Sequence, residues 1–270
     1  MTASENGDVD VSGGKKSQAG SYAAPALEKG LDILELISAS PQGISQQQIA
    51  KRLNRTTTEI FRMLNVLERR NYLSRDSDGS YQLTLKLFEL SHRHPPTKLL
   101  LHVALPLMQQ LAEDSRQSAH LAVYHQGCIL VIAQVDSPEP LSFGVKLGTH
   151  FVIKPERTSA LVLTAFAQNA RAAQMAEEML QNDDSGLTAE ELEQKLRGIR
   201  AARHYLNPSQ TTAGVVDVSC PIFGLDGTTV AALTVPFLSQ NNITVQVEDV
   251  QHMLQNTAYL ISEGIGMRRK

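Results

Sequence analysis

The sequence predicts an α+β protein in two parts: a winged helix-turn-helix, then a larger domain built on an antiparallel sheet. Three observations carry this prediction. From Pro25 to Leu83 the pattern runs helix, short helix, polar-faced helix, hairpin. After Thr97, strand-like runs joined by tight turns surround a group of helix-like runs, which favours an antiparallel α+β sheet over a Rossmann fold. Between them stands Pro95-Pro96, and a residue ahead of proline is pushed out of the helical region, which marks a boundary. A length of 270 residues suits about two domains.

Residues 1–24 are rich in Ser, Gly, Ala and Asp without apolar periodicity, and are expected to form a disordered tail. Pro25 suits a first helical turn, and Leu27, Leu31, Leu34 and Ile37 follow at helical spacing. Ser40-Pro41-Gln42-Gly43 ends that helix. Ser45 with Gln48 has the form of a capping box, and Ile49, Ala50 and Leu53 supply the buried side of a short second helix. Thr56 with Glu59 repeats the form and opens a third helix. There Ile60, Met63, Leu64 and Leu67 share one face, while Arg55, Thr58, Arg62, Asn65 and Arg69 share the other. Tyr72–Arg75 and Ser80–Leu83 flank an Asp-Gly turn and read as a hairpin. These elements define a winged helix-turn-helix over 25–83.

Thr84 to His94 reads as a helix, giving a linker helix over 84–96. A long helix follows, with Leu99, Val103, Leu107 and Leu111 at near-heptad spacing and a kink expected at Pro106. Within the larger domain, 97–266, Ala119–Tyr124 and Cys128–Gln134 read as strands, with Leu141–Val145 as a third. Arg157–Ala167, Ala170–Gln181 and Thr188–Ala202 read as helices, the last opened by a third capping box, Thr188 with Glu191. Val215–Ile222 and Val230–Phe237 are strong strands around Asp226-Gly227, and Val245–Ile261 is a closing helix.

Composition narrows the function classes. A hydrophobic content of 42% supports ordinary globular cores. No stretch approaches the roughly 18 uninterrupted apolar residues of a membrane helix, and the start of the chain shows no apolar signal region, so no membrane partner is expected. Two cysteines far apart, Cys128 and Cys220, argue against a disulfide scaffold and fit a reducing, cytoplasmic setting. Charge is uneven: Lys51 to Arg75 holds seven basic and two acidic residues, against 13 basic and 17 acidic from Thr97 to the end. A local basic patch on an otherwise acidic chain points to a polyanion partner for one region only, the alternative being a solvated helix face.

The third helix has what reading duplex DNA demands: an apolar side to anchor it and a polar side to meet base edges in the major groove. Arg62 can fork onto guanine and Asn65 can pair with adenine. Thr57 and Thr58 lie at its N-terminus, where hydroxyls and free backbone N–H groups suit phosphate oxygens. Lys51, Arg52 and Arg55 flank the turn and would neutralise phosphates, Arg69 continues the polar face, and Arg75 beside the hairpin can reach an adjacent backbone or minor groove. The alternative is an interaction-only winged helix; Asp76 and Asp78 at the wing tip would repel phosphates.

Other chemistry is set aside. His120 and His125, five apart on a strand and turn, do not share a face as metal ligands would, and His120 reads as pocket-lining or core-edge. His92 and His94 fit a helix C-terminus, where cations are favoured. Cys220 reads as a buried strand cysteine with no base nearby in sequence. Glu177-Glu178 and Asp183-Asp184 read as solvated helix ends. Nucleotide-loop, nucleophile-elbow and zinc-protease motifs are missing, so neither an enzyme, a metal site nor a cofactor is expected.

The segment Leu27–Leu34, the stretch Ile44–Leu53, Ile60–Leu64, Leu67–Leu73 and Tyr81-Gln82-Leu83 together resemble the DNA-binding part of IclR-type regulators. The likeness continues through His120–Val123, Phe143–Gly148, Gly214–Ile222 and Ala231–Val235, and spans about residues 25–265. It implies a linker helix, a GAF-like effector-binding domain, and dimers or tetramers on palindromic double-stranded operator DNA. It further implies a small-molecule effector, mostly a carboxylate or aromatic catabolite, and repression or activation of a catabolic or metabolic operon. By this resemblance Thr158, Ser159, Ala160 and Leu161 form the effector loop, Asn207, Val215 and Asp217 line the pocket, and Thr234 and Pro236 lie on the last strand. Ala160 and Leu161 depart from the small or glycine residues usual there, and Pro236 replaces a hydrogen-bond donor. Asp217 would repel an anion, which disfavours a glyoxylate- or pyruvate-like ligand and favours one carrying a hydroxyl or amino group. The rival readings are a constitutive DNA-binding protein whose large domain only oligomerises, and an enzyme fused to a helix-turn-helix.

Overall fold

A computed structural model of the chain describes residues 24–92, 95–241 and 244–267. The tail expected over 1–24 lies outside these residues except for Ala24, as does His94, and the side chain of His92 is also outside them. Contacts divide the chain into two compact units between Arg93 and His94.

The first unit runs α1 (Pro25–Ser38), β1 (Ile44–Ser45), α2 (Gln46–Arg52), α3 (Thr57–Arg69), β2 (Leu73–Arg75), β3 (Ser80–Leu83) and α4 (Lys86–His92). Proline opens α1, where its missing N–H costs no helical bond. Both capping boxes form: Ser45 and Gln48 exchange bonds at the start of α2, as do Thr56 and Glu59 at α3. Between these helices Asn54 takes a left-handed backbone, φ 50°, which lets the chain turn within a few residues. Gly43, φ +80°, makes the bend from which the two-residue β1 pairs with β3, an element the sequence does not announce. The small sheet has the order β1-β3-β2. Its core is Ile33, Ile37, Ile44, Ile49, Ile60, Leu64, Leu73 and Tyr81.

The second unit opens with α5 (Pro95–Ser115), then β4 (Ala119–His125), β5 (Cys128–Val135) and β6 (His150–Val152). Next come α6 (Thr158–Ala165), α7 (Asn169–Gln181) and α8 (Ala189–Ala202), then β7 (Tyr205–Pro208), β8 (Val215–Phe223), β9 (Thr229–Leu238) and α9 (Val247–Gly264). The strands form one sheet of order β6-β5-β4-β9-β8-β7, with every pair antiparallel. One face is covered by α5 and α9, whose Met108, Leu111, Leu254 and Ile261 meet Leu121, Val218, Ile222, Leu233 and Val235. Helices α6, α7 and α8 gather with Ala122, Ile129 and Ala232 into a second apolar cluster. The expected α+β layout, a helix-turn-helix unit followed by an antiparallel-sheet unit, is therefore the one observed.

Three details differ. Leu141–Val145 is not a strand; the third strand in sequence is β6, which adds to the outer edge of β5. Edge strand β7 was also missed, because its side chains alternate between half-buried and exposed, and only pairing with β8 makes it a strand. On α5 the buried line runs Leu100, Ala104, Met108 and Leu111, one residue away from the Leu99–Val103–Leu107 stripe. That helix packs against both the sheet and α9, so its buried face is set by two neighbours and not by one heptad seam. Its helical assignment continues through Pro106.

Candidate nucleic-acid interface and small-molecule site

In the first unit, α3 is held from three sides. Its N-terminus is closed by the Thr56–Glu59 box. Lys29 of α1 reaches Glu59 at 2.7 Å, and that contact, with the Thr56 backbone bond, holds the Glu59 carboxyl down at about 2. Gln46 of α2 donates to the Thr57 carbonyl at 3.0 Å, fixing the turn. Ile60 and Leu64 are fully buried beneath. The opposite surface carries Thr58, Arg62, Asn65 and Arg69, all exposed, with Thr57 beside them at the helix start. Lys51, Arg52 and Arg55 are exposed around the turn.

Among the described residues, Lys51, Arg55, Arg62 and Arg69 have no carboxylate within ion-pair distance, whereas Arg52 donates to Ser40 at 3.4 Å. This leaves a row of cations and an amide exposed on one surface. Arg75 is also exposed but is folded back, bonded to the Gly79 carbonyl and lying 5.5 Å over the Tyr81 ring. Asp76 at the wing tip accepts from the backbone N–H groups of Asp78 and Ser80, so its carboxylate shapes the turn. Sequence reasoning did not single out Phe61, which is 47% exposed beside Arg62; an exposed aromatic on a polar helix face was the available signal.

In the second unit the cross-strand register builds a polar row. His120 of β4 faces Thr234 of β9, Thr234 faces Ser219 of β8, and Ser219 faces Tyr205 of β7. One step along, Pro236, Asp217 and Asn207 are aligned in the same way, and Val215 follows on the same face as Asp217. Ser219 and Thr234 bond to each other at 2.9 Å. Helix α6 packs on β8 and β9, which brings Thr158 at its first turn to this face.

The N-cap of α6, Arg157, makes no side-chain cap, so the first N–H groups of the helix lack that partner. Thr158 is buried and its Oγ1 has no hydrogen-bond partner; the same holds for Nδ1 of His120. Burial pushes the His120 imidazole down to about 4, so the ring is neutral. It also pushes the Asp217 carboxyl up, against a bond from Ser209 and the charge of Arg157. Arg157 is pushed down by burial, against the charges of Asp217 and Glu156, and stacks 4.5 Å over Phe151.

The structure thus assembles Asn207, Val215, Asp217, Thr234 and Pro236 on one sheet face. Ser159 is half-buried near the start of α6, while Ala160 and Leu161 are enclosed in the apolar cluster. Arg157, Ser219 and His120 join the polar group. Arg157 and Ser219 were missed because their partners lie 60 and 15 positions away and only the register shows them. Among the described residues no group of three or more His, Cys, Asp or Glu side chains is placed to hold a metal ion. No helix there is long and apolar enough to cross a membrane.

Two family descriptions match this chain: the IclR helix-turn-helix domain over residues 26–77, and the bacterial transcriptional regulator IclR C-terminal domain over residues 97–263. Over 214 residues the chain is 26% identical to the HTH-type transcriptional regulator BhcR of Paracoccus denitrificans, covering 78% of this chain and 76% of that protein. It is 21% identical to the HTH-type transcriptional repressor AllR of Escherichia coli, over 91% of this chain and 92% of the other. An IclR homolog of Microbacterium hydrocarbonoxydans, solved with 4-hydroxybenzoate, shares the fold with a TM-score of 0.74 at 23% identity, over 89% of this chain and 98% of that one. These families and relatives are regulators of transcription and not enzymes. With the two matched domains covering most of its length, the chain belongs to the IclR family of bacterial transcriptional regulators.

Proposed function

We propose that this regulator is a ligand-responsive repressor that binds palindromic operator DNA as a dimer or tetramer, in the cytoplasm, and controls a catabolic or metabolic operon. The observation that carries this reading is the outer face of α3, where Thr58, Arg62, Asn65 and Arg69 are exposed. That surface matches the width and donor–acceptor pattern of a major groove. Thr57, Lys51, Arg52 and Arg55 serve the phosphates, and Arg75 serves the flanking backbone after leaving its fold-back position. Exposed apolar side chains support self-association: Leu27 and Leu31 on α1, Leu87 on α4. Two copies would set two reading helices about 34 Å apart. The region Leu83–Leu111, including the proposed linker 84–96, would carry the coupling and the dimer contact, and the repressor sign follows the relative named as one.

The effector site proposed on the 97–266 domain comprises Thr158, Ser159, Ala160, Leu161, Asn207, Val215, Asp217, Thr234 and Pro236, on a domain of GAF-like type. The buried, unpartnered Thr158 hydroxyl and the Asp217 carboxylate support an effector with a hydroxyl or amino group. A calorimetric series of acids, polyols and amines tests this; a clear preference for a small monoacid sinks it. For DNA, duplexes selected by the protein from a random pool are titrated with Arg62→Ala and Asn65→Ala. Each substitution should weaken binding by roughly 1–3 kcal/mol. Unchanged binding by both folded variants overturns the reading.

A further inference from the structure

A cavity of about 740 Å³ lies in the second unit between the last turn of α8, β8 and α9. It is separate from the polar row in its residues: it wraps the edge of β8 at Cys220 and Pro221, and none of His120, Thr158, Asn207, Asp217, Ser219 or Thr234 lines it. The pairing of edge strand β7 stops at Ser219, which leaves the outer side of β8 from Cys220 onward without a strand, while β9 continues along its inner side. The volume is that of a site for a small organic molecule.

The chemistry of the lining is divided. Deep in the cavity lie the Cys220 thiol, Pro221 and Ala258, with Phe166 and Phe223 packed edge to face at 5.3 Å. The lining hydroxyls are occupied: Ser262 accepts from the Phe223 N–H and donates to the Ala258 carbonyl, and Tyr259 donates to Glu263. The thiol, pushed up by burial to about 12, is neutral. The rim is cationic, and among the described residues no Asp or Glu lines the cavity. Arg200 is tied down, to the Ala165 carbonyl at 2.8 Å and to Glu193 at 2.9 Å. Arg203 is not: among the described residues its guanidinium makes neither ion pair nor hydrogen bond, and its contact is the Phe223 ring, 5.0 Å away. A guanidinium stacked by its face keeps its N–H edges for a planar anion.

The backbone of Arg203 also takes a left-handed conformation, φ 60°, at the end of α8. Glycine suits that position best; here it carries an arginine whose side chain turns back over the cavity.

We propose that this cavity is a second small-molecule site, distinct from the one beneath α6, and that it takes an aromatic monocarboxylate whose ring lies against Phe166, Phe223 and Pro221 while its acid group meets Arg203. The geometry of apolar depth and a free cation at the rim selects for one flat body and one negative charge. The inference does not depend on the effector assignment above, because its residues are different.

The test is calorimetric titration of the full chain with 2-naphthoate and, as neutral control, 2-naphthamide. The acid should bind saturably and more tightly than the amide. Arg203→Gln should weaken 2-naphthoate about tenfold or more, the scale of losing a charge-assisted hydrogen bond, and leave the amide unchanged. Arg203→Lys should retain part of the affinity. Ala258→Leu should fill the cavity and remove both ligands; should it fail to fold, Arg203→Gln at its exposed position still decides. Thr158→Val should bind 2-naphthoate as the parent does. Four results overturn the proposal: no saturation at millimolar acid, equal binding of acid and amide, undiminished affinity in Arg203→Gln, or loss of affinity in Thr158→Val. A change of sedimenting mass in Arg203→Gln would also overturn it, assigning the rim to contact between copies.

Discussion

The two faces of the six-stranded sheet are made by the same strands, and both bury apolar side chains, yet only one of them also buries a polar row. Toward α5 and α9 the strands present Leu121, Val218, Ile222, Leu233 and Val235, an apolar surface packed shut. Toward α6, alternate positions on three of those strands present His120, Thr234, Ser219 and Asp217. A side-chain period of two keeps these sets independent. One face can therefore stabilise the fold while the other holds polar atoms that are costly when left unpaired. Of the buried side-chain polar atoms without a partner among the described residues, those of Thr158 and His120 lie at this second face. Polar atoms in that condition mark where a ligand would find bonds already desolvated and aimed.

The sharpest way to break this contrast is on the apolar face. Leu233→Ala, at a fully buried position, should lower stability by roughly 3–5 kcal/mol in urea denaturation, the range for a buried leucine that leaves a cavity. A loss comparable to that of a surface substitution would show that this face does not bear the fold. On the polar face, His120 supplies a pH dependence. Its folded value of about 4 lies below the unfolded 6.5, so the unfolded chain binds the extra proton between them. Stability is then complete above the unfolded value and falls as pH drops through about 4, a loss of about 3 kcal/mol by linkage. His120→Gln should remove that slope, measured by unfolding at pH 7 and pH 4.5; an undiminished slope would locate the titration elsewhere. The smallest effect is expected at Thr158. Thr158→Val replaces an unpartnered buried hydroxyl by a methyl of the same shape, so stability should hold or rise by about 1 kcal/mol. Effector-dependent release from DNA should nevertheless be lost, and a variant that still responds to effector separates Thr158 from the site.

Much of this arrangement was legible beforehand, for reasons that differ by element. The three capping boxes were readable because their partners are three residues apart, and all three form. Strands β8 and β9 were readable from runs rich in apolar and β-branched residues around Asp226-Gly227. Strands β1, β6 and β7 were not, since they are two to four residues long and exist by pairing with a neighbour. The polar face of α3 was visible as a helical stripe. The polar row was not, because His120, Thr234 and Ser219 come from three strands and meet only through register. The bare sequence also made Asp217 a lone carboxylate hostile to anions; the structure places the Arg157 charge within its reach, 60 positions away.

The strand order has a consequence for how the molecule comes into being. At the centre of the sheet β4 pairs with β9, joining His120 to Thr234 across 114 positions. Closing so long a loop is entropically costly and slow, and on a ribosome it must wait until nearly the whole chain has emerged. The helix-turn-helix unit draws its core from residues 33–81 alone and can finish while synthesis continues. Each newborn molecule therefore passes through an interval with its helix-turn-helix core complete and its six-stranded sheet still unmade.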